Sequence, residues 1–145
     1  MTAFLLDVNV LIALMWPAHE SHTQAQEWFG RKSRDGWATC PFSQAAFVRI
    51  ISNPAFSSDA VTPQEALKLL AANLNHPSHH FWPDEIGLVA ATQAFARRLV
   101  GHQQVTDAYL LGLALHKKGK LATMDRSVLA LLPEKNSADA IIEVI

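Results

Sequence analysis

The sequence predicts an α/β fold: a five-stranded parallel sheet flanked by helices on both faces. Three observations predict it. Short, wholly apolar segments of strand length alternate with longer segments of helical character. Two of the helical segments, Val8 to Trp16 and Ala108 to Lys117, are apolar nearly all round and so must be buried. Strands that lack a polar alternate face belong to a sheet covered on both sides.

Each element follows from local chemistry. Phe4-Leu5-Leu6 is the first strand, and the apolar helix after it stops at Pro17, which cannot donate a backbone hydrogen bond. His19 to Lys32 forms a second, more polar helix with Ala25, Trp28 and Phe29 on one side. Trp37-Ala38-Thr39-Cys40 is the second strand. Pro41 suits the first turn of a helix that runs through Phe47 and Ile51 to Asn53-Pro54. Thr62-Pro63-Gln64-Glu65 reads as a capping box, which makes Ala66 to Asn73 helical. The third strand is His79-His80-Phe81-Trp82, and Asp84 caps a helix from Ile86 to Leu99. Thr106-Asp107 opens the helix Ala108 to Lys117, and Gly119 ends it. Leu121-Ala122-Thr123-Met124 and Ile141 to Ile145 complete the sheet.

At 145 residues the chain has room for a single domain spanning 1–145, with a sizeable core and no second module. Its balance of 12 Lys+Arg against 13 Asp+Glu excludes a polycationic nucleic-acid coat. That balance is compatible with an enzyme that holds a polyanion locally. One cysteine, Cys40, excludes a disulfide framework and a cysteine-only metal cluster. The opening MTAFLLDVNV has no basic segment and meets Asp7 early, unlike a secretory leader. No apolar run reaches membrane-spanning length, so a soluble, cytoplasmic protein is expected.

Three aspartates carry the chemistry. Asp7 follows the first strand, Asp125 follows the fourth, and Asp107 begins the helix leading into the fourth. Ligands of open parallel sheets bind at the carboxyl ends of the strands, where strand order reverses. Any one of these residues is accounted for by a helix cap or a turn. Gathered at one sheet edge they repel one another, and only Arg126 lies near them in sequence. A hard divalent cation, magnesium or manganese, is then the natural partner.

The same residues carry a resemblance. Leu6-Asp7-Val8-Asn9-Val10-Leu11-Ile12, Thr106-Asp107-Ala108-Tyr109-Leu110-Leu111-Gly112-Leu113-Ala114 and Leu121-Ala122-Thr123-Met124-Asp125-Arg126 look like the three motifs of the PIN domain. The stretch from Thr39 to Pro54, TCPFSQAAFVRIISNP, is similar to one subgroup of the VapC toxins of bacterial toxin–antitoxin pairs. The resemblance implies a PIN-like fold and an Mg/Mn-dependent endoribonuclease, with Asp7, Asp107 and Asp125 holding metal that activates a water. It further implies a homodimer and a small VapB-like antitoxin, an arginine of which could enter the carboxylate site. Asn9 is placed to hold the Asp7 side by hydrogen bonding and Thr106 to add a hydroxyl beside Asp107, with helix capping the alternative for both. One position departs from the pattern. The family usually carries a glutamate in the helix after the second strand, and Gln44 stands there. Glutamine keeps a carbonyl oxygen but loses the charge, which predicts weaker metal affinity. The alternatives are that Gln44 is a plain first-turn polar residue, or that the chain is a weakened PIN-like module that binds RNA or protein without cutting.

The remaining candidates are weaker. His79 and His80, adjacent on a strand, point to opposite faces and cannot share one ion. His19 and His22 lack a third ligand, and His102 reads as a solvated loop residue. Arg31, Lys32 and Arg34, Arg97 and Arg98, and Lys117, Lys118 and Lys120 form small basic clusters suited to helix ends or to RNA phosphates. Cys40 reads as small and inert, and the four tryptophans as core or interface. A phosphoryl-transfer hydrolase would want an aspartate two residues after Asp7, where Asn9 stands. Finally, one domain is expected to bury one fully apolar helix, so that two leave surface for a homodimer to cover.

Overall fold

Five parallel strands form one sheet in the order β3-β2-β1-β4-β5: β1 (Phe4–Leu6), β2 (Trp37–Thr39), β3 (His79–Phe81), β4 (Lys120–Thr123) and β5 (Ile142–Val144). The helices are α1 (Val8–Met15), α2 (His22–Lys32), α3 (Pro41–Ile51), α4 (Pro63–Leu74), α5 (Leu88–Thr92) and α6 (Val105–His116). This computed structural model describes residues 2–133 and 141–145. Strand order runs outward from β1 in both directions, so the crevice between β1 and β4 is the switch point where such sheets build sites.

The period of two along each strand sorts the core. Phe4, Leu6 and Ala122 face α1, α2, α3 and α4, while Leu5, Ala38 and Leu121 face α5 and α6. Every residue from Ala108 to Ala114 in α6 is buried, as are Val10 to Ala13 and Met15 in α1. Each fully buried leucine there contributes about 2–3 kcal/mol of transfer free energy. The expectation that two apolar helices leave surface to spare is therefore not met. They lie on opposite faces of the sheet and do not compete for cover. Of the exposed large apolar side chains, only Val105 and Leu115 at the two ends of α6 belong to these helices; Val89 at 83% and Val100 at 93% exposure are the most open.

Three local expectations also change. Asp84 does not cap a helix of Ile86 to Leu99: Gly87 is the N-cap of the short α5, and Gln93–Arg98 continues as a 3-10 segment. The hydroxyl of Thr92 donates to the Leu88 carbonyl at 2.8 Å, a back-bond that competes with regular helix. α5 also docks tightly on α6, where a Cβ at Gly112 would collide with the Ala91 carbonyl. At the end of α6, Lys118 takes the left-handed conformation (φ 57°) expected of Gly119. The Gly119 amide then bonds the Ala114 carbonyl at 2.8 Å. Gly119 is needed instead for close packing, since a Cβ there would meet the Ala3 carbonyl at 2.6 Å. The capping box at Thr62 is half made: Thr62 Oγ1 accepts from the Glu65 amide at 3.2 Å.

Candidate active site

Asp7 leaves β1 in extended conformation, and its amide donates to the Ala122 carbonyl at 2.9 Å, carrying the β1–β4 ladder one residue past the strand. This fastens the buried Asp7 carboxylate at the switch point. Oδ1 accepts from the Val8 amide at 2.7 Å, so Asp7 caps α1 as well. Oδ2 accepts from the Thr123 hydroxyl at 2.8 Å and from Asn9 Nδ2 at 3.5 Å. Asn9 also accepts the Met124 amide on Oδ1 at 3.1 Å, tying α1 to the end of β4. Asn9 thus meets Asp7 and also makes a structural tie between α1 and the loop after β4.

Sequence reasoning missed Thr123. Fully buried at the last position of β4, it donates to Asp7 and accepts from the Asp125 amide at 3.1 Å. A threonine at a strand end two residues before an acid was the available signal. Asp125 is exposed, and its Oδ1 accepts from the Ser127 amide at 2.9 Å, capping the 3-10 segment Arg126–Leu131. The turn reading of Asp125 therefore holds alongside its place at the sheet edge.

Asp107 behaves differently. α6 begins at Val105, so Thr106 and Asp107 stand within its first turn instead of opening it. Thr106 is exposed and its hydroxyl makes no hydrogen bond among the described residues. Asp107 is half-buried, and among the described residues no donor reaches its carboxylate. Burial pushes its pKa up to about 7, with the negative charges of Asp7 and Asp125 adding to the shift. Asp7 is raised too, chiefly by burial, with Asp125 adding to it and the bonds from Thr123 and Val8 opposing. The three carboxylates therefore share one field, as three converging acids must.

Among the described residues, no three His, Cys, Asp or Glu side chains form a closed group around a possible ion. The donors at the crevice are nonetheless all oxygen, and no cation hydrogen-bonds to them among the described residues. That chemistry fits magnesium or manganese and not a soft metal.

Gln44 does not touch the carboxylates. It lies in the first turn of α3, at the same carboxyl edge, and its Nε2 donates to Thr39 Oγ1 at 2.9 Å. The hydroxyl of Thr39 in turn meets His79 Nε2 at 2.8 Å. The other histidines serve locally. His22 Nδ1 meets the Ala13 carbonyl at 2.7 Å, His19 Nδ1 accepts the Ser21 amide, and His76 Nδ1 accepts from Trp37 and Ser78. The basic clusters have structural partners: Lys117 pairs with Glu85 at 3.0 Å and Lys32 with Glu143 at 3.7 Å. Cys40 is buried, and Trp28, Trp37 and Trp82 lie in the core.

The PIN domain pattern matches residues 4–133. The chain belongs to the PIN-domain family. Among its relatives it is 43% identical over 145 residues, the whole of both chains, to Ribonuclease VapC39 of Mycobacterium tuberculosis. It is 39% identical over 131 residues to Ribonuclease VapC38 of the same species, covering 90% of this chain and 91% of that one. Similarity at this level over nearly full length places it with the VapC ribonucleases of the family. The fold is shared with VapBC2 from Rickettsia felis, solved bound to a promoter DNA fragment, at a TM-score of 0.62 and 12% identity, over 99% of this chain and 98% of that one. The expected PIN-like, five-stranded parallel architecture is thus borne out.

Proposed function

We propose that this protein is a cytoplasmic endoribonuclease, the toxin of a toxin–antitoxin pair, and that it hydrolyses RNA phosphodiester bonds with magnesium or manganese held by Asp7, Asp107 and Asp125. The observation that carries this reading is Asp107: a half-buried acid that no donor reaches among the described residues, set in the field of two other carboxylates. Such an arrangement costs stability when all three are charged, and a divalent cation offsets that cost. When bound, the ion supplies Lewis acidity toward the phosphate and acidifies a water.

The chain's own residues do the positioning. Thr123 and Val8 hold the two oxygens of Asp7 in place, Asn9 locks the loop after β4, and Ser127 orients Asp125. Asp107, which no donor holds among the described residues, is the carboxylate left to take up the cation. The names of the relatives support ribonuclease chemistry. An antitoxin segment carrying an arginine would suit the same acidic crevice, because guanidinium pairs with carboxylates bidentately.

Incubation with total RNA and manganese tests the reading. Wild type should cut, and Asp107→Asn should lose activity by on the order of a hundredfold or more, the scale of losing a preorganised electrostatic element. RNA binding without cleavage by the wild type would instead return the binding-module alternative. We also propose a homodimer, now supported by the exposed Leu88, Val89 and Val100 instead of by α1 and α6. Sedimentation showing a clean 16.0 kDa monomer at micromolar concentration would refute it.

A further inference from the structure

The β2–β3 side of the carboxyl edge holds a chain of hydrogen bonds that the proposed chemistry leaves unused. It runs from Gln44 Nε2 to Thr39 Oγ1 at 2.9 Å and on to His79 Nε2 at 2.8 Å. Thr39 is fully buried, and the His79 ring packs on Trp37 with centroids 4.6 Å apart. The direction of this chain follows from counting protons. The Gln44 carboxamide turns its NH2 to Thr39, so the Thr39 oxygen accepts there. The Thr39 hydroxyl has one proton, and its other side-chain partner among the described residues is His79 Nε2. Giving the proton to that nitrogen leaves no buried donor unpaired, and it requires a neutral ring with Nε2 bare and the N–H on Nδ1. Burial, with His80 and His76 close by, holds His79 below the usual histidine range and so favours the neutral ring.

We propose that Thr39 and His79 are positioning residues that fix the Gln44 carboxamide with its nitrogen inward and its carbonyl oxygen outward, as a neutral acceptor at the carboxyl edge for a hydrogen-bond donor of the bound RNA. The substitution of an amide at this position is then matched to its surroundings. A carboxylate could keep the contact only by taking the Thr39 proton, which would leave His79 Nε2 facing a bare oxygen and force that nitrogen to become a donor. The meaning of the outward oxygen rests on the ribonuclease reading; the direction of the chain does not.

The two parts separate experimentally. Nitrogen-15 NMR of the labelled full chain should show His79 as the Nδ1–H tautomer, with His76 and His80 assigned alongside as the titratable neighbours. Gln44→Glu should move the Nε2 resonance to its protonated position and raise the pH at which His79 titrates. Thr39→Val should also raise that pH, while Thr39→Ser leaves it close to wild type. An Nε2–H tautomer in wild type, or an unmoved Nε2 in Gln44→Glu, overturns the orientation whether or not the protein cuts RNA. If the tautomer is as expected, Thr39→Val should raise KM for RNA about tenfold, the effect of one misplaced hydrogen bond, and Thr39→Ser should restore it. Unchanged KM in Thr39→Val, with cleavage intact, overturns the substrate role alone. A wild type that never cuts fails the ribonuclease reading and leaves the tautomer result standing.

Discussion

The carboxyl edge of this sheet has two halves, and each uses a buried threonine at a strand end. In the β1–β4 half, Thr123 donates to Asp7, and two further acids gather around it. In the β2–β3 half, Thr39 accepts from an amide and meets an imidazole nitrogen. The same side chain at equivalent places thus supports opposite electrostatics. The neutral half is nearly satisfied within the fold: Thr39 has partners on both sides, and among the described residues only the Gln44 carbonyl oxygen is left open. The charged half is not satisfied, because Asp107 has no donor among the described residues and two acids in its field. Unsatisfied charge at a ready-made crevice is how a fold prepares for a cation, at a cost to its stability without one.

The largest effect expected from that contrast is a heat-stability response to manganese confined to the charged half. At manganese a hundredfold above its dissociation constant, wild type should gain about 2.7 kcal/mol, because the ion binds only the folded chain. Asp7→Asn, Asp107→Asn and Asp125→Asn should respond less, and Asp107→Asn should exceed wild type in stability without metal. Thr39→Val should keep the full metal response on a lower baseline. Differential scanning with and without manganese measures all of these. An equal response in all three aspartate variants would remove the metal from this crevice.

Much of this was legible before the fold was known, and for identifiable reasons. The three aspartates declare themselves because each adjoins an apolar segment whose type is set by its pattern, so β1, β4 and α6 deliver them to one edge. Asn9 could be suspected because it is the polar interruption in an apolar helix. Thr39 could not be singled out, because a buried threonine in a strand looks like ordinary β-propensity until its hydroxyl partner is seen, and Thr123 carried only the slight signal of an acid two residues on. His79 is joined to Gln44 only by β2–β3 pairing across sequence-distant positions. The extent of α5 was illegible for a different reason: its docking on Gly112 and the Thr92 back-bond are tertiary and rotameric events. The error over α1 and α6 came from counting apolar helices without assigning them to opposite faces.

A smaller effect separates the halves by pH. Asp107 titrates at about 7 in the folded chain, against an ordinary value of 3.8. Between those limits the folded state holds more protons than the unfolded, so stability without metal falls as pH rises from about 4 to 7. The raised Asp7 acts in the same direction. His79 acts oppositely. Its depressed pKa means that the unfolded chain binds more protons just below pH 6.5, so its contribution grows as pH rises toward that value. Chemical denaturation across pH 4 to 8 should show a net decline in wild type. Asp107→Asn should flatten or reverse it, and His79→Gln should steepen it just below pH 6.5. A wild-type profile that rises steadily to pH 7 would contradict the raised Asp107.

The smallest effect comes from moving charge between the halves. Gln44→Glu places a carboxylate at the edge of the neutral half and should tighten manganese binding, since each added negative group attracts a hard cation. The gain is limited on two counts. Gln44 makes no contact with the aspartates, so the added charge acts across water, where roughly 2 kcal/mol, or about thirtyfold in affinity, is the ceiling for a unit charge close to a divalent ion. Part of the new charge is also taken up by the Thr39 hydroxyl and by a proton drawn onto His79. Adding Thr39→Val to Gln44→Glu removes the hydroxyl and should bring the affinity closer to that ceiling. Calorimetric titration of manganese into the single and double variants measures both steps. An unchanged or weaker affinity in the double variant would put the side chain at position 44 out of reach of the acidic crevice.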